Sequence, residues 1–183
     1  MPESLDRFIA LFHRRWAVPV LVALAEGQGA KFVTLASRLG VGRPTLRATL
    51  DDLVALGLVE RNPGYGHPMR PEYLLTAEGA RLAPSSGRLL ATVRRLDIEP
   101  LAFRKWSMPL TYVLGAEPRR FRELREELPQ ITPRALTLSL KDLGEAALVR
   151  RAVHDEFPPI TSYRLERRAR SLLAALTPLA AAV

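Results

Sequence analysis

Cysteine is absent from this 183-residue chain, which excludes disulfides, thiolate metal sites and any thiol-based sensing. A chain without cysteine also fits a reducing compartment, so a cytoplasmic location is expected. Histidine is scarce: His13, His67 and His154 are the three present, not at metal-ligand spacing, so neither a metal nor a cofactor is expected. No apolar run approaches the roughly 20 residues that a bilayer span needs. The run from Trp16 to Ala25 follows His13-Arg14-Arg15 and imitates a secretory signal, but Glu3 and Asp6 precede it, Pro19 interrupts it, and essentially the same segment recurs at Arg104 to Ala116. Both segments read as buried helices, and no membrane partner is expected. There is no phosphate-cradling glycine loop, no Ser-His-Asp order with a supporting motif and no pair of carboxylates on a common helix face, so the chain does not read as an enzyme.

What the chain has is a repeat. Arg15-Trp16, Pro19 and Leu24 return 90 residues later as Lys105-Trp106, Pro109 and Leu114. Phe32, Leu35 and Leu39 return at offset 89 as Phe121, Leu124 and Leu128, and offset 90 then resumes: Leu46, Leu50, Leu53 and Arg61 meet Leu136, Leu140, Leu143 and Arg151. Tyr73 and Leu82 meet Tyr163 and Leu172. Two copies of one small fold follow, with domains at residues 1–84 and 85–183.

Both copies are basic. The net charge is +8, and of the 27 basic residues only 3 are lysine. Arginine presents a planar fork of donors suited to phosphate and guanine, which favours an anionic polymer as partner. A GC-rich coding sequence also raises the ratio of arginine to lysine, but it does not explain the net charge.

Within each copy the periodicity gives three helices and then two short strands. Residues 16 to 26 form the first helix of copy one and Thr34 to Leu39 the second. The third begins near Arg43-Pro44 in copy one and near Thr132-Pro133 in copy two, because proline suits a helix's first turn and threonine caps its free amides. Leu46, Leu50 and Leu53, like Leu136, Leu140 and Leu143, place one face of that helix in the core. The opposite face is polar. Strands are expected at Leu58 to Arg61 and around Tyr73 to Leu75, and again at Leu148 to Val153 and Ile160 to Leu165. The fold class is therefore mainly α with small β-hairpins (α+β): tandem winged helix-turn-helix domains.

At these residues the chain resembles the HxlR family of bacterial winged-helix transcription regulators, relatives of the MarR type. The resemblance is carried by Lys105-Trp106, by Arg119 to Leu124, by Leu128-Pro129-Gln130-Ile131-Thr132-Pro133-Arg134-Ala135-Leu136, by Leu148 to Arg151, and by Pro158-Pro159 and Tyr163. Copy two matches closely and copy one diverges. Family members resemble one such copy per chain and work as homodimers, so the resemblance implies a fused tandem version. The cysteine that serves as a sensor near the N-terminus of some members has no counterpart here. Copy one has Gly42-Arg43-Pro44 where copy two has Thr132-Pro133-Arg134, so its reading surface is expected to differ.

A helix-turn-helix presents its last helix to the DNA major groove and its wing to flanking phosphate or the minor groove. The candidate contacts are Arg43, Thr45, Arg47 and Thr49 with wing residues Arg61, His67 and Arg70 in copy one. In copy two they are Thr132, Arg134, Thr137 and Lys141, with Arg150, Arg151 and His154 in the wing. The competing reading of the helix residues is a solvated face on which Asp51 and Asp52 pair with Arg47 or other basic neighbours. Trp16 and Trp106 are expected as core anchors. Apolar helical segments at residues 4 to 13, 85 to 103 and from Leu172 to Leu179 are expected to dock the copies into an internal pseudo-dimer, a monomer in solution. Double-stranded DNA is the expected partner, with a small-molecule effector as a further candidate. The alternative is a winged-helix scaffold for protein interactions.

Overall fold

The leucine stripe at positions 46, 50 and 53, repeated at 136, 140 and 143, drives one side of a helix out of water in each half, and the remaining elements fold over that side. In the computed structural model, which describes residues 2–62, 72–115, 117–155, 157 and 160–183, all six of these leucines are buried. The first half runs α1 (Pro2–Leu11), α2 (Ala17–Gly27), α3 (Phe32–Leu39), α4 (Arg43–Ala55), β1 (Val59–Arg61), β2 (Tyr73–Leu75) and α5 (Ala77–Arg95). The second runs α6 (Glu99–Ala102), α7 (Ser107–Leu114), β3 (Arg119–Arg120), α8 (Phe121–Glu127), α9 (Pro133–Glu145), β4 (Val149–His154) and β5 (Ile160–Leu165). A 3-10 turn at Arg167–Ala169 then leads into α10 (Arg170–Ala182). These are two winged helix-turn-helix units in tandem.

Local signals set the element ends. Thr132 accepts a hydrogen bond from the Ala135 amide at 3.2 Å at the start of α9, whereas Gly42 starts α4 with no side-chain cap. Gly40, in the left-handed region at φ 61°, ends α3 and turns the chain into α4.

The hairpins repeat residue for residue. Arg61 lies opposite Tyr73 in the antiparallel pair β1–β2, and Arg151 lies opposite Tyr163 in β4–β5. Copy two adds a strand that sequence reading missed: β3 pairs Arg119 with Tyr163, giving the order β3-β5-β4. In copy one this strand shrinks to a single bridge between Ala30 and Tyr73. Two residues are too few to show the alternation by which a strand is read from sequence.

Equivalent helices meet at the joint. α5 packs on α2 in copy one as α10 packs on α7 in copy two, and α5 and α10 then pack on each other, the relation that a self-complementary dimer interface requires. α1 crosses to the other copy: buried Phe8 lies 5.0 Å from the ring of Tyr112 in α7, and the Ser4 hydroxyl donates to the Ala180 carbonyl at 3.5 Å. The Gln130 amide donates to Asp6 at 2.7 Å, and Arg168 donates to the Leu96 carbonyl at 2.6 Å. One continuous apolar core spans both copies, an internal pseudo-dimer. α5 runs unbroken past Pro84, so residues 84 and 85 lie within a helix. Trp16 and Trp106 are half-buried against this core rather than enclosed by it, and each lies under the cation that precedes it, Arg15 at 5.9 Å and Lys105 at 5.0 Å.

Candidate nucleic-acid interface

A helix advances 100° per residue, so the side of α9 opposite Leu136, Leu140 and Leu143 carries Arg134, Thr137, Leu138 and Lys141, at i, i+3, i+4 and i+7. All four are exposed. No carboxylate among the described residues neutralises Arg134. Lys141 lies 3.7 Å from Glu145 in an i,i+4 pair whose partners are both mostly exposed, an interaction worth at most about 0.5 kcal/mol and readily exchanged. The Thr137 hydroxyl donates to the Pro133 carbonyl at 2.9 Å. Its oxygen therefore remains an acceptor, suited to the amino group of adenine or cytosine. Thr132 is exposed but committed to its cap.

The same four places in α4 hold Pro44, Arg47, Ala48 and Asp51. The Arg47 guanidinium lies over the Phe32 ring of α3 at 5.0 Å, a contact worth about 0.5–1 kcal/mol at an exposed site. Arg43 and Thr45 are exposed, and Arg43, like Arg134, has no acidic partner among the described residues. Thr49 is the correction: it was expected on the polar face and is completely buried, its hydroxyl donating to the Thr45 carbonyl at 2.8 Å. Positions 46, 49, 50 and 53 form the i, i+3, i+4, i+7 stripe of the buried side. A threonine that satisfies its own hydroxyl on the preceding turn can join that stripe without an unpaired polar group.

Asp52 does not pair with Arg47. It takes Arg14 at 2.7 Å, and Asp142 takes Arg104 at 2.5 Å, the same ion pair 90 residues on. Arg14 precedes α2 and Arg104 precedes α7, so each pair ties that segment to α4 or α9. Sequence reading missed the pairing because its partners are 38 residues apart, yet both pairs were on view as equivalent positions of the repeat.

In the wings Arg150, Arg151 and His154 are exposed; the Arg151 guanidinium reaches the Thr161 hydroxyl at 3.4 Å, and His154 shares a 2.8 Å hydrogen bond with Ser162. Arg150 and Arg151 border a shallow depression together with Arg167 and Arg168, a cluster that the run Glu166-Arg167-Arg168 could have signalled. The copy-one equivalents are Glu60, Arg61, Ala77 and Glu78, and Arg61 is paired with Glu72 at 3.1 Å. His67 and Arg70 lie outside the described residues. A cavity of about 290 Å³ opens between the copies, walled by Asp6, Ile9 and His13 of the N-terminal segment, Leu56 at the end of α4, and Lys105 and Gln130 of copy two. No helix among the described residues is long and apolar enough to cross a membrane.

The sequence profile of a family described as HxlR-like helix-turn-helix matches the chain twice, over residues 11–95 and 101–183. An uncharacterized HTH-type transcriptional regulator of Mycobacterium tuberculosis is 41% identical over 80 residues, covering 44% of this chain and 50% of the relative. Another, from Halalkalibacterium halodurans, is 37% identical over 76 residues, covering 41% of this chain and 67% of the relative. The chain thus spans half to two thirds of the length of these curated relatives. Among solved structures, the reduced form of the transcriptional regulator YodB from B. subtilis superposes with a TM-score of 0.43 at 30% identity, covering 46% of this chain and 86% of that one.

Proposed function

The chain belongs to the HxlR-like helix-turn-helix family, and from that premise we propose that it is a transcriptional regulator that binds double-stranded DNA sequence-specifically through α4 and α9. The observation that carries the reading is the exposed face of α9, where unneutralised Arg134 stands with Thr137 and Lys141 in the first turns of a helix whose opposite side is core. Arginine in that place pairs with guanine, threonine accepts from a base amino group, and lysine neutralises phosphate. Arg43, Thr45 and Arg47 take the corresponding part in copy one. Arg61, Arg150, Arg151 and His154 reach backbone or minor groove, and His67 and Arg70 complete the wing contacts by their place in sequence.

The regulator works in the cytoplasm as a monomer, because the covalent joint supplies the second reading helix that a single-copy relative gains by dimerising. The two reading helices differ, so the operator consists of two dissimilar half-sites about one helical turn (~34 Å) apart. The crevice between α1, the end of α4 and copy two is the place where a small-molecule effector would bear on both copies. Selection of sites from random DNA, followed by titration against salt, tests the reading. The expected outcome is an asymmetric site bound with log K falling by about 0.9 per neutralised phosphate per decade of salt. A perfect palindrome would overturn the half-site assignment, and negligible DNA affinity at every salt concentration would favour a protein scaffold.

A further inference from the structure

Leu138 is 50% exposed, and it does not belong to the buried stripe of α9. An apolar side chain held in water on a helix is common and by itself says nothing. Its neighbours on the same face do: Arg134 lies one turn before it, Lys141 three residues after, and Thr137 beside it, so the leucine sits inside the group that suits a polyanion. Asp142, the acid next to Lys141, is held by Arg104, and Glu145 makes only a loose surface pair with Lys141, so with Arg134 unpaired among the described residues the face stays cationic. A partner that meets this face must be anionic around its rim and offer an apolar group at its centre.

A DNA major groove has that chemistry at one kind of place. Phosphates line its edges, and the only apolar group exposed on its floor is the 5-methyl of thymine. We propose that Leu138 is a specificity-determining residue of copy two, reading a thymine through van der Waals contact with its 5-methyl while Arg134 and Lys141 fix the neighbouring guanine and phosphate. This rests on the DNA-binding reading above and names what one position reads. Copy one has Ala48 at the equivalent place, half-buried and three carbons smaller, so it reaches less far toward a groove floor.

The test removes the methyl from the DNA, so it does not depend on how a variant folds. The full chain is titrated with the operator selected from random DNA, each thymine of the site being replaced in turn by deoxyuridine, which keeps every hydrogen bond and loses only the 5-methyl. One position in the half-site bound by copy two is expected to lose about fourfold in affinity, the value of one buried carbon. L138A is expected to bind the thymine and uracil sites equally. Wild-type protein indifferent to uracil at every position would overturn the inference and leave DNA binding standing, as would L138A that still distinguishes the two. A chain that selects no DNA at all would overturn both. A leucine that served a protein partner instead would give the first of these results.

Discussion

On the face of α9 that looks away from the core stand Arg134, Thr137, Leu138 and Lys141, and in the wing behind it Arg150 and Arg151. The same six places in copy one hold Pro44, Arg47, Ala48, Asp51, Glu60 and Arg61. At these six places copy two offers four cations and no acid, copy one two cations and two acids; Glu145 beside Lys141 and the exposed Arg43 of copy one narrow the contrast without reversing it. Beneath these surfaces the scaffold scarcely changes: the leucine stripe, the Arg14–Asp52 and Arg104–Asp142 pairs and the Arg–Tyr strand register all recur. Core positions are bound by volume and shape, whereas an exposed face is free to follow whatever it meets. With unequal faces on equal frames, the proposed DNA reading predicts most of the grip from copy two and a weaker contribution from copy one.

Where the frames do differ, one solution replaces another. The carbonyl that ends α4, that of Leu56, accepts from Arg7 of α1 at 3.3 Å, and Arg7 also meets Glu78 at 2.5 Å. The equivalent Ala146 carbonyl accepts at 3.3 Å from Arg168, which stands where copy one has Glu78. The same orphan group at a helix end is satisfied by arginines from different elements, α1 in copy one and the 3-10 turn before α10 in copy two.

The largest effect is expected at another such place. Gly79 lies in the first turn of α5, and a Cβ there would stand 2.0 Å from the Leu58 carbonyl oxygen, a backbone atom that cannot swing aside. Copy two carries Ala169 at the equivalent position, fully buried, and accommodates it by opening its helix with a 3-10 turn. Gly79→Ala is expected to cost about 3 kcal/mol, read by chemical denaturation, because α5 must move off the Leu58 carbonyl just before β1. Ala169→Gly should cost far less. A G79A protein as stable as the parent would mean that the two helix starts are interchangeable.

Next in size is the difference in grip. Arg134→Ala is expected to weaken binding to the selected operator by about 2 kcal/mol and to relax one base position, and Arg43→Ala or Arg47→Ala by less. Arg47 already spends its cation on Phe32. Fluorescence anisotropy with each half-site scrambled in turn separates the copies, and equal losses from all three substitutions would erase the proposed asymmetry.

Much of this frame was legible in the chain because its signals are local. Thr132-Pro133 marks the start of α9, and Ile160 to Leu165 is a strand as read, since caps and alternation act within a few residues. What lay hidden was tertiary. Thr49 looks polar in sequence but satisfies itself on the preceding turn, the ion pairs join residues 38 positions apart, and β3 exists only because β5 lies beside it. The acids at 51 and 60 were plain in sequence. The offset of 90 already sets them against Lys141 and Arg150, and the fold adds that all four positions are exposed.

A smaller effect follows from those acids. Giving copy one the charges of copy two, with Asp51→Lys and Glu60→Arg together, should steepen the dependence of log K on log salt by about 0.9 for each further phosphate that is neutralised. Base preference should not change, because neither residue is assigned a base. An unchanged slope would show that these positions of α4 and β1 do not face phosphate, and that the copies are docked on DNA differently.

The smallest effect concerns the turn that leads out of each reading helix. Gly57 and Ala147 occupy equivalent places just past α4 and α9, and both have a left-handed backbone, φ 73° and 54°. A residue with a Cβ is strained there by roughly 1–2 kcal/mol, and glycine is not. Ala147 is exposed, so trimming its methyl gives up little buried surface, while a Cβ on Gly57 would meet, among the described residues, nothing closer than the Glu78 carboxylate at 3.9 Å. Both substitutions therefore isolate backbone strain. Glycine also widens the unfolded ensemble, which offsets about 0.4–1 kcal/mol of the gain. Ala147→Gly is expected to stabilise the protein by about 0.5–1 kcal/mol and raise the melting temperature by about 1–3 °C, and Gly57→Ala should lower it by a similar amount. Opposite signs at two equivalent positions would show that copy two keeps a strained turn which copy one has relieved. If both changes destabilise, something other than backbone conformation holds Ala147 in place.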